Sequence, residues 1–577
     1  MKRRLWISIA ILIAGCGVVI AVGALEQAMK PKPDLPSFLP SGALLTIEAR
    51  DFSSLIRDWN SSPQKRAWLV SDNHSVFSTS RLYTRLSQAQ DEFSAAAGLP
   101  TDGSLLEKVA GKESCLGLYD IGNLEFVYIT RLDKQEIEDS PLWQKRSSFA
   151  QRNEAGSVFY VHKDEASSRV AAFASKDGWL IIGTREDLVA GVLDRMAGVA
   201  LQSLSDEEWF AEAIKQAPSS RGDLRMVLNL EKIVISPYFR SYWIQQNITE
   251  MKQYASVVSD LYRSSGNDRE ERVLLRRTAL TAPAQGDVQS IVALAPEDAA
   301  FYAAEASPNP ENLLTTLRDD LLETKPEQAA ERHATAPSAA GAEDAGSADQ
   351  LDTSIDKAPV AVLQADPFQR LRAMLIAGHV DASLEVFSTR APRDGVFVSL
   401  QTAMAVSSAH GWDEEVVSQA LSDALLPGLT AGKLGVHWEK RSSASGEYFA
   451  LDGSVPLYFS INGKQLLLAN DSTLLEQLLA RRQRAISPAG SEGVTYTAFF
   501  RHAHEQGNYR RLVTQLDLAG HRDTADQSGS AGGEAPAFFS GNAASLSNVL
   551  STMESERIEE RDRGVTVTQT VIYQWAL

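Results

Sequence analysis

Only two of the 577 residues are cysteine, Cys16 and Cys115. Cys16 lies inside an apolar N-terminal stretch. Cys115 falls in Glu113-Ser114-Cys115-Leu116-Gly117-Leu118, which reads as a buried strand. The two have no easy route to one another, so a disulfide framework is excluded and the fold must stand on its core. Cysteine poverty suits an oxidising compartment. A basic stripe is lacking too. The formal net charge is −18, whereas a nucleic-acid binder needs clustered cations to displace counterions from phosphates. Nucleic acid is therefore not an expected partner. Acidity of this size favours solubility and opposes close approach to an anionic lipid surface.

Catalytic signatures are missing as well. A phosphate-cradling loop needs Gly-x4-Gly-Lys followed by Ser or Thr. Here Gly111-Lys112 is followed by Glu113 and Gly463-Lys464 by Gln465. The Gly-x-Ser-x-Gly elbow of the commonest serine hydrolases is absent. A Ser-x-x-Lys pair occurs at Ser62-Pro63-Gln64-Lys65 without its companion motifs, and Pro63 reads as the first residue of a surface helix. No catalytic residue and no cofactor is expected. Adjacent carboxylates such as Asp319-Asp320 and Glu559-Glu560 diverge on a helix or strand and read as solvated surface.

What is present begins at the N-terminus. Lys2, Arg3 and Arg4 precede an unbroken apolar run from Leu5 to Leu25. About 20 apolar residues span a bilayer core as a helix, and the cationic tip, 1–4, is expected to stay in the cytoplasm. Three readings are open: an uncleaved signal anchor over 5–25, cleavage after Val22-Gly23-Ala24, and lipidation of Cys16 in Ile13-Ala14-Gly15-Cys16. Each exports the body, to the periplasmic side of a cell membrane reached through residues 5–25. A proline-bearing stalk, 26–39, would follow.

The body shows internal self-similarity. Trp179-Leu180-Ile181-Ile182-Gly183-Thr184 and its following Leu188 and Leu193 match Gln465-Leu466-Leu467-Leu468-Ala469-Asn470 with Leu474 and Leu479. Upstream, Val158 to Val161 with Val170 to Phe173 resembles Tyr448 to Leu451 with Leu457 to Ser460. Pro40 to Leu45 resembles Pro296 to Phe301, and Tyr254 to Ser259 resembles Ala544 to Val549. Four matches in one order predict a duplication: a first module over 40–285 and a second over 286–577. Long helices are expected over 75–97, 239–263 and 366–377. The stretch 325–366, rich in Ala, Pro, Gly, Asp and Glu, reads as a disordered insertion, and 520–536 as a flexible loop. Irregular interleaving of strands and helices, with evident hairpins, gives the expected fold class: α+β, an N-terminal transmembrane helix followed by two related modules of antiparallel sheet packed with helices.

The apolar N-terminal run, the start Leu39-Pro40-Ser41-Gly42-Ala43, and Ala110-Gly111-Lys112-Glu113 leading into Leu116-Gly117-Leu118-Tyr119 resemble bacterial anchored, exported proteins grouped as a domain of unknown function. The second module departs from this pattern at His379-Val380-Asp381-Ala382-Ser383-Leu384, where Gly-Lys-Glu is absent. The resemblance implies location and architecture and supplies no catalytic residues.

Two clusters merit attention as sites. His502 and His504 follow the strand Val494 to Phe500; on a continued strand they would share a face and one metal, although the equivalent stretch Leu228-Asn229-Leu230-Glu231 has no histidine. Tyr238, Arg240 and Tyr242, after Pro237, are candidate partner contacts, since Tyr and Arg are enriched at binding hot spots; the alternative is that Phe239 and Trp243 simply face the core. The leading functional expectation is a non-enzymatic scaffold or interaction module, with envelope proteins as partners. The alternatives are a carrier of an apolar, lipid-like ligand, which requires a cavity of several hundred Å³, and an unrecognised hydrolase.

Overall fold

The computed structural model describes residues 34–242, 245–281, 284, 286–322, 366–390, 399–429, 436–453, 456–482, 493–509, 511 and 545–576. The segment 5–25, the insertion 325–365 and the loop 520–536 lie outside these. The described chain forms two compact units. One comprises Met1–Arg57 (described from 34), Arg85–Lys215 and Leu224–Ile248; the other comprises Asp58–Thr84, Gln216–Asp223 and Thr249–Leu577.

The first unit holds eight strands: β1 (Leu45–Ala49), β2 (Ser114–Asp120), β3 (Glu125–Arg131), β4 (Ala150–Glu154), β5 (Ser157–Lys163), β6 (Val170–Lys176), β7 (Trp179–Gly183) and β8 (Leu224–Asn229). All pair antiparallel, in the order β4-β5-β6-β7-β3-β2-β1-β8. Tight hairpins are encoded locally. Between β6 and β7 the residues Asp177 and Gly178 both take positive φ, 51° and 80°, the two-residue turn whose twist matches the strands it joins.

The second unit holds β9 (Tyr254–Ser264), β10 (Asn267–Arg276), β11 (Phe301–Ala306), β12 (Val380–Arg390), β13 (Ser399–Ser408), β14 (Glu439–Ser443), β15 (Gly446–Leu451), β16 (Leu457–Asn462), β17 (Gln465–Ala469), β18 (Tyr496–Phe500), β19 (Met553–Asp562) and β20 (Thr566–Trp575). Their antiparallel order is β14-β15-β16-β17-β13-β12-β11-β18-β19-β20-β10-β9. The expected first module, 40–285, thus gives its last hairpin, β9–β10, to the second unit, where β10 pairs with β20 along nine residues from Asn267 to Leu275.

The first eight strands of each half follow one order, with β1 to β8 corresponding to β11 to β18. The likeness extends to irregularities. In β9–β10 a bulge separates the Leu275–Ser256 and Arg276–Tyr254 pairs, and in β19–β20 a bulge separates Gln574–Ser555 from Trp575–Met553. The buried Phe173 stacks on Tyr160 at 5.2 Å, and the buried Phe459 on Phe449 at 4.8 Å, at matching positions.

Helices cover the sheets. In the first unit Arg81–Ala97 (from Arg85) and Gly103–Val109 set Phe93, Ala96, Ala97, Leu105 and Val109 against Tyr128, Phe173 and Ile182. In the second unit Pro310–Leu317, Gln369–Gly378 and Glu414–Leu429 pack a leucine-rich core on one side. Ser472–Arg482 packs Leu474, Leu475, Leu478 and Leu479 into another core.

The expected fold class needs correcting. The described residues form twenty antiparallel strands with helices, and among them no helix is long and apolar enough to cross a membrane. Arg81–Ala97 has 17 residues and carries polar groups along its length, against about 20 apolar residues for a span. Two helix expectations also change. The stretch 75–97 is broken at Thr79-Ser80, where the Thr79 hydroxyl donates to the Val76 carbonyl and Ser80 Oγ accepts from the Tyr83 amide. The stretch 239–263 holds two short helices, Pro237–Tyr242 and Gln245–Met251, and then β9, whose Val257 and Val258 suit a pleated strand.

Candidate ligand cavity

An apolar cavity of about 780 Å³ lies in the first unit between the sheet and its helices. Its floor comes from strand alternation. Ile47 and Ala49 of β1 and Ser114, Leu116 and Leu118 of β2 project to one face, as do Tyr128 of β3 and Leu224 of β8. Its roof comes from the helix Arg81–Ala97, where Leu86, Ala89, Gln90 and Phe93 recur at helical spacing, and from Leu105, Leu106 and Val109 of Gly103–Val109. Alanine at 89 leaves room that a larger residue would fill. Leu86 and Leu106, both in the wall, are 44% and 43% exposed.

The few polar groups in the wall are mostly engaged within the protein. Ser114 Oγ lies 2.8 Å from Thr130 Oγ1 and accepts from the Tyr128 hydroxyl at 3.1 Å; burial pushes that phenol up to about 12. Thr184 Oγ1 accepts from the Phe126 amide at 2.8 Å, and the Gln90 amide donates to the Thr101 carbonyl at 2.8 Å. Asp102 caps the shorter helix by accepting from the Ser104 and Leu105 amides. Arg169, 8% exposed, reaches the wall and donates to Glu92 at 2.6 Å and to the Asn123 carbonyl at 2.7 Å.

Strand register identifies the same place in the second unit. Leu45 faces Leu118 and Leu228; Phe301 faces Phe387 and Phe500. Ala49 then corresponds to Glu305, Ser114 to Ser383, Leu116 to Glu385, Tyr128 to Met404 and Leu224 to Tyr496. These residues line a cavity of only about 220 Å³. Two carboxyl groups stand where the first unit has Ala49 and Leu116. Burial, and then the neighbouring Asp320, push Glu385 up to about 7, and burial followed by Glu560 raises Glu305. Asp320, read from sequence as solvated surface, is instead partly buried and close enough to Glu385 to raise it.

The residues singled out in the sequence lie elsewhere. His502 and His504 are not brought together: 502–509 is helical, and positions two apart on a helix point about 200° away from one another. The His502 ring stacks on Phe500 and its Nε2 lies 3.4 Å from Glu556, while His504 Nδ1 lies 2.8 Å from Glu505. Among the described residues no group of three His, Cys, Asp or Glu side chains is placed to hold a metal ion. Tyr238 is 53% exposed, with its ring over Gly122, where any Cβ would collide with it. Arg240 Nε donates to the Val234 carbonyl at 3.2 Å, and Phe239 is buried. Tyr242 ends its helix, and its side chain and Trp243 lie outside the description. Ser62 is a helix cap, accepting from the Lys65 amide, while Lys65 Nζ bonds Asn60. Cys115 is fully buried on β2.

Sequence reasoning did not locate the cavity, because a void is set by what the covering helices fail to fill. The available signal was the pair of residues Leu116 and Glu385, one apolar and one acidic at matching places in strands of the same order. No family model, no curated protein and no solved structure matches this chain.

Proposed function

We propose that the protein binds or carries an apolar, lipid-like molecule in the first-unit cavity. The observation that carries this reading is a cavity of about 780 Å³ walled by aliphatic and aromatic side chains, within the range of about 300–1,000 Å³ usual for small-molecule sites. Filling it with a ligand removes apolar surface from water, worth about 25 cal/mol per Å². The reading favours a carrier over the scaffold expected first, and the contrast between halves supports it: the matching place in the second unit is small and acidic.

The test exchanges the two chemistries. Displacement of a fluorescent apolar probe from the full chain should show one saturable site. Leu116→Glu, which installs the residue found at the matching second-unit position, should abolish it, whereas Met404→Leu in the second unit should leave it intact. Unchanged binding in Leu116→Glu would refute the proposal.

A further inference from the structure

We propose that the cavity takes a single-chain amphiphile with an anionic head group, held at Arg169, with its hydrocarbon tail in the apolar interior. This rests on the apolar-ligand reading above and adds the chemistry of the ligand's polar end. The observation is an imbalance of charge around Arg169; the wall's carboxylate, Asp102, is taken up in capping the helix Gly103–Val109. Arg169 pairs with Glu92 at 2.6 Å, and the same carboxylate lies 3.4 Å from Arg85. Arg85 also donates to the Gly122 carbonyl at 2.8 Å. Two guanidinium groups therefore share one carboxylate. Their side chains are only 7% and 20% exposed, and that of Glu92 19%. A half-neutralised, largely buried pair of cations is costly unless a further anion approaches. In a chain of net charge −18, a local positive excess is against the trend.

The placement suits a head group. Arg169 touches the cavity directly, while Arg85 and Glu92 sit on the helix that supplies Leu86, Ala89 and Phe93 to its roof. An oxyanion at Arg169 would neutralise the excess charge through charge-assisted hydrogen bonds, and the wall beyond is apolar. Carboxylate and phosphate share this chemistry.

The experiment titrates the full chain with hexadecanoate, hexadecyl phosphate, hexadecanol and hexadecylammonium, each below its aggregation threshold, by probe displacement. Both anions, or one of them, should bind about ten-fold or more tightly than the alcohol, with the ammonium weakest; whichever anion binds better names the head group. Arg169→Gln should erase the anion preference while leaving hexadecanol affinity within about two-fold, which also shows that the cavity is intact. Glu92→Gln removes the carboxylate that the two guanidinium groups share and should increase the preference. Equal affinity for anion and alcohol, or a preference that survives Arg169→Gln, overturns the proposal. Failure of all four compounds to bind overturns the cavity reading itself.

Discussion

Ala49→Leu separates a real cavity from a packed core by the sign of its effect. Ala49 is 3% exposed on β1, which is flanked on both sides by paired strands, and it borders the cavity. Leucine adds three carbon atoms. At about 0.8 kcal/mol per buried methylene the upper limit of the gain is about 2.4 kcal/mol, and losing rotamer freedom returns about 0.5–1 kcal/mol of it. A net gain of about 1.5 kcal/mol follows, a factor of about ten in the opening equilibrium. In a close-packed core the same insertion costs about 1–3 kcal/mol. Native-state hydrogen exchange at the β1 and β2 amides reads this locally, without requiring the two units to unfold together. Protection should rise about ten-fold in the ligand-free protein, and the affinity for a long-chain ligand should fall. Reduced protection at Thr46 to Glu48 would show that no usable void exists.

Other outcomes follow from the same geometry. Calorimetric titration with a long-chain ligand should saturate at one molecule per chain; two would mean that the acidic second-unit cavity binds equally. Gly111→Ala should destabilise the first unit by about 1–3 kcal/mol, because its Cβ would collide with the Arg131 carbonyl and Thr130 Oγ1; an unchanged unfolding midpoint would contradict this. Glu385 gives a pH dependence. Its folded value, about 7, lies above its ordinary 4.5, so between these the folded state holds the proton more tightly than the unfolded chain does. The second unit should therefore lose stability as pH rises from about 4.5 to about 7, and Glu385→Gln should flatten that slope. A wild-type slope of the opposite sign would refute the assignment.

The strand order shared by the two halves was partly legible, and the accuracy of the matches followed local chemistry. Strand register sets Ile182 against Leu468 and Leu45 against Phe301, as the sequence comparison did, because apolar strands followed by a leucine-spaced helix constrain alignment strongly. For the hairpin the comparison slipped by one residue: register places Tyr160 with Phe449 and Phe173 with Phe459. Both hairpins present several aromatic residues in a row, and alternation alone does not choose among them. At the last hairpin the slip was nine residues, since Tyr254 corresponds to Met553 through the shared bulge, and a bulge has no hydrophobic signature. The same weakness turned β9 into a helix: Tyr254 to Leu261 contains apolar residues compatible with either period, and pairing with β10 decides between them.

The candidate site was less legible. Histidines and an exposed aromatic turn attract attention because their residue types are chemically conspicuous, yet His502 and His504 each turn to a separate glutamate. Leu86, Ala89, Leu116 and Leu118 are unremarkable singly. Their significance comes from residues more than twenty positions apart converging without filling the space, a long-range property that periodicity does not carry. The acidic pair Glu305 and Glu385 is a similar case. Each stands between two apolar residues on its strand, and only register shows that they share a face.

The most direct test of the central claim is a crystal structure of the full chain with hexadecanoate brominated at its terminal carbon, the bromine located by anomalous scattering. The account predicts one bromine site inside the first-unit cavity among Phe93, Leu105 and Tyr128, with the carboxylate at Arg169. Bromine in the second-unit cavity, or none in either, would contradict it.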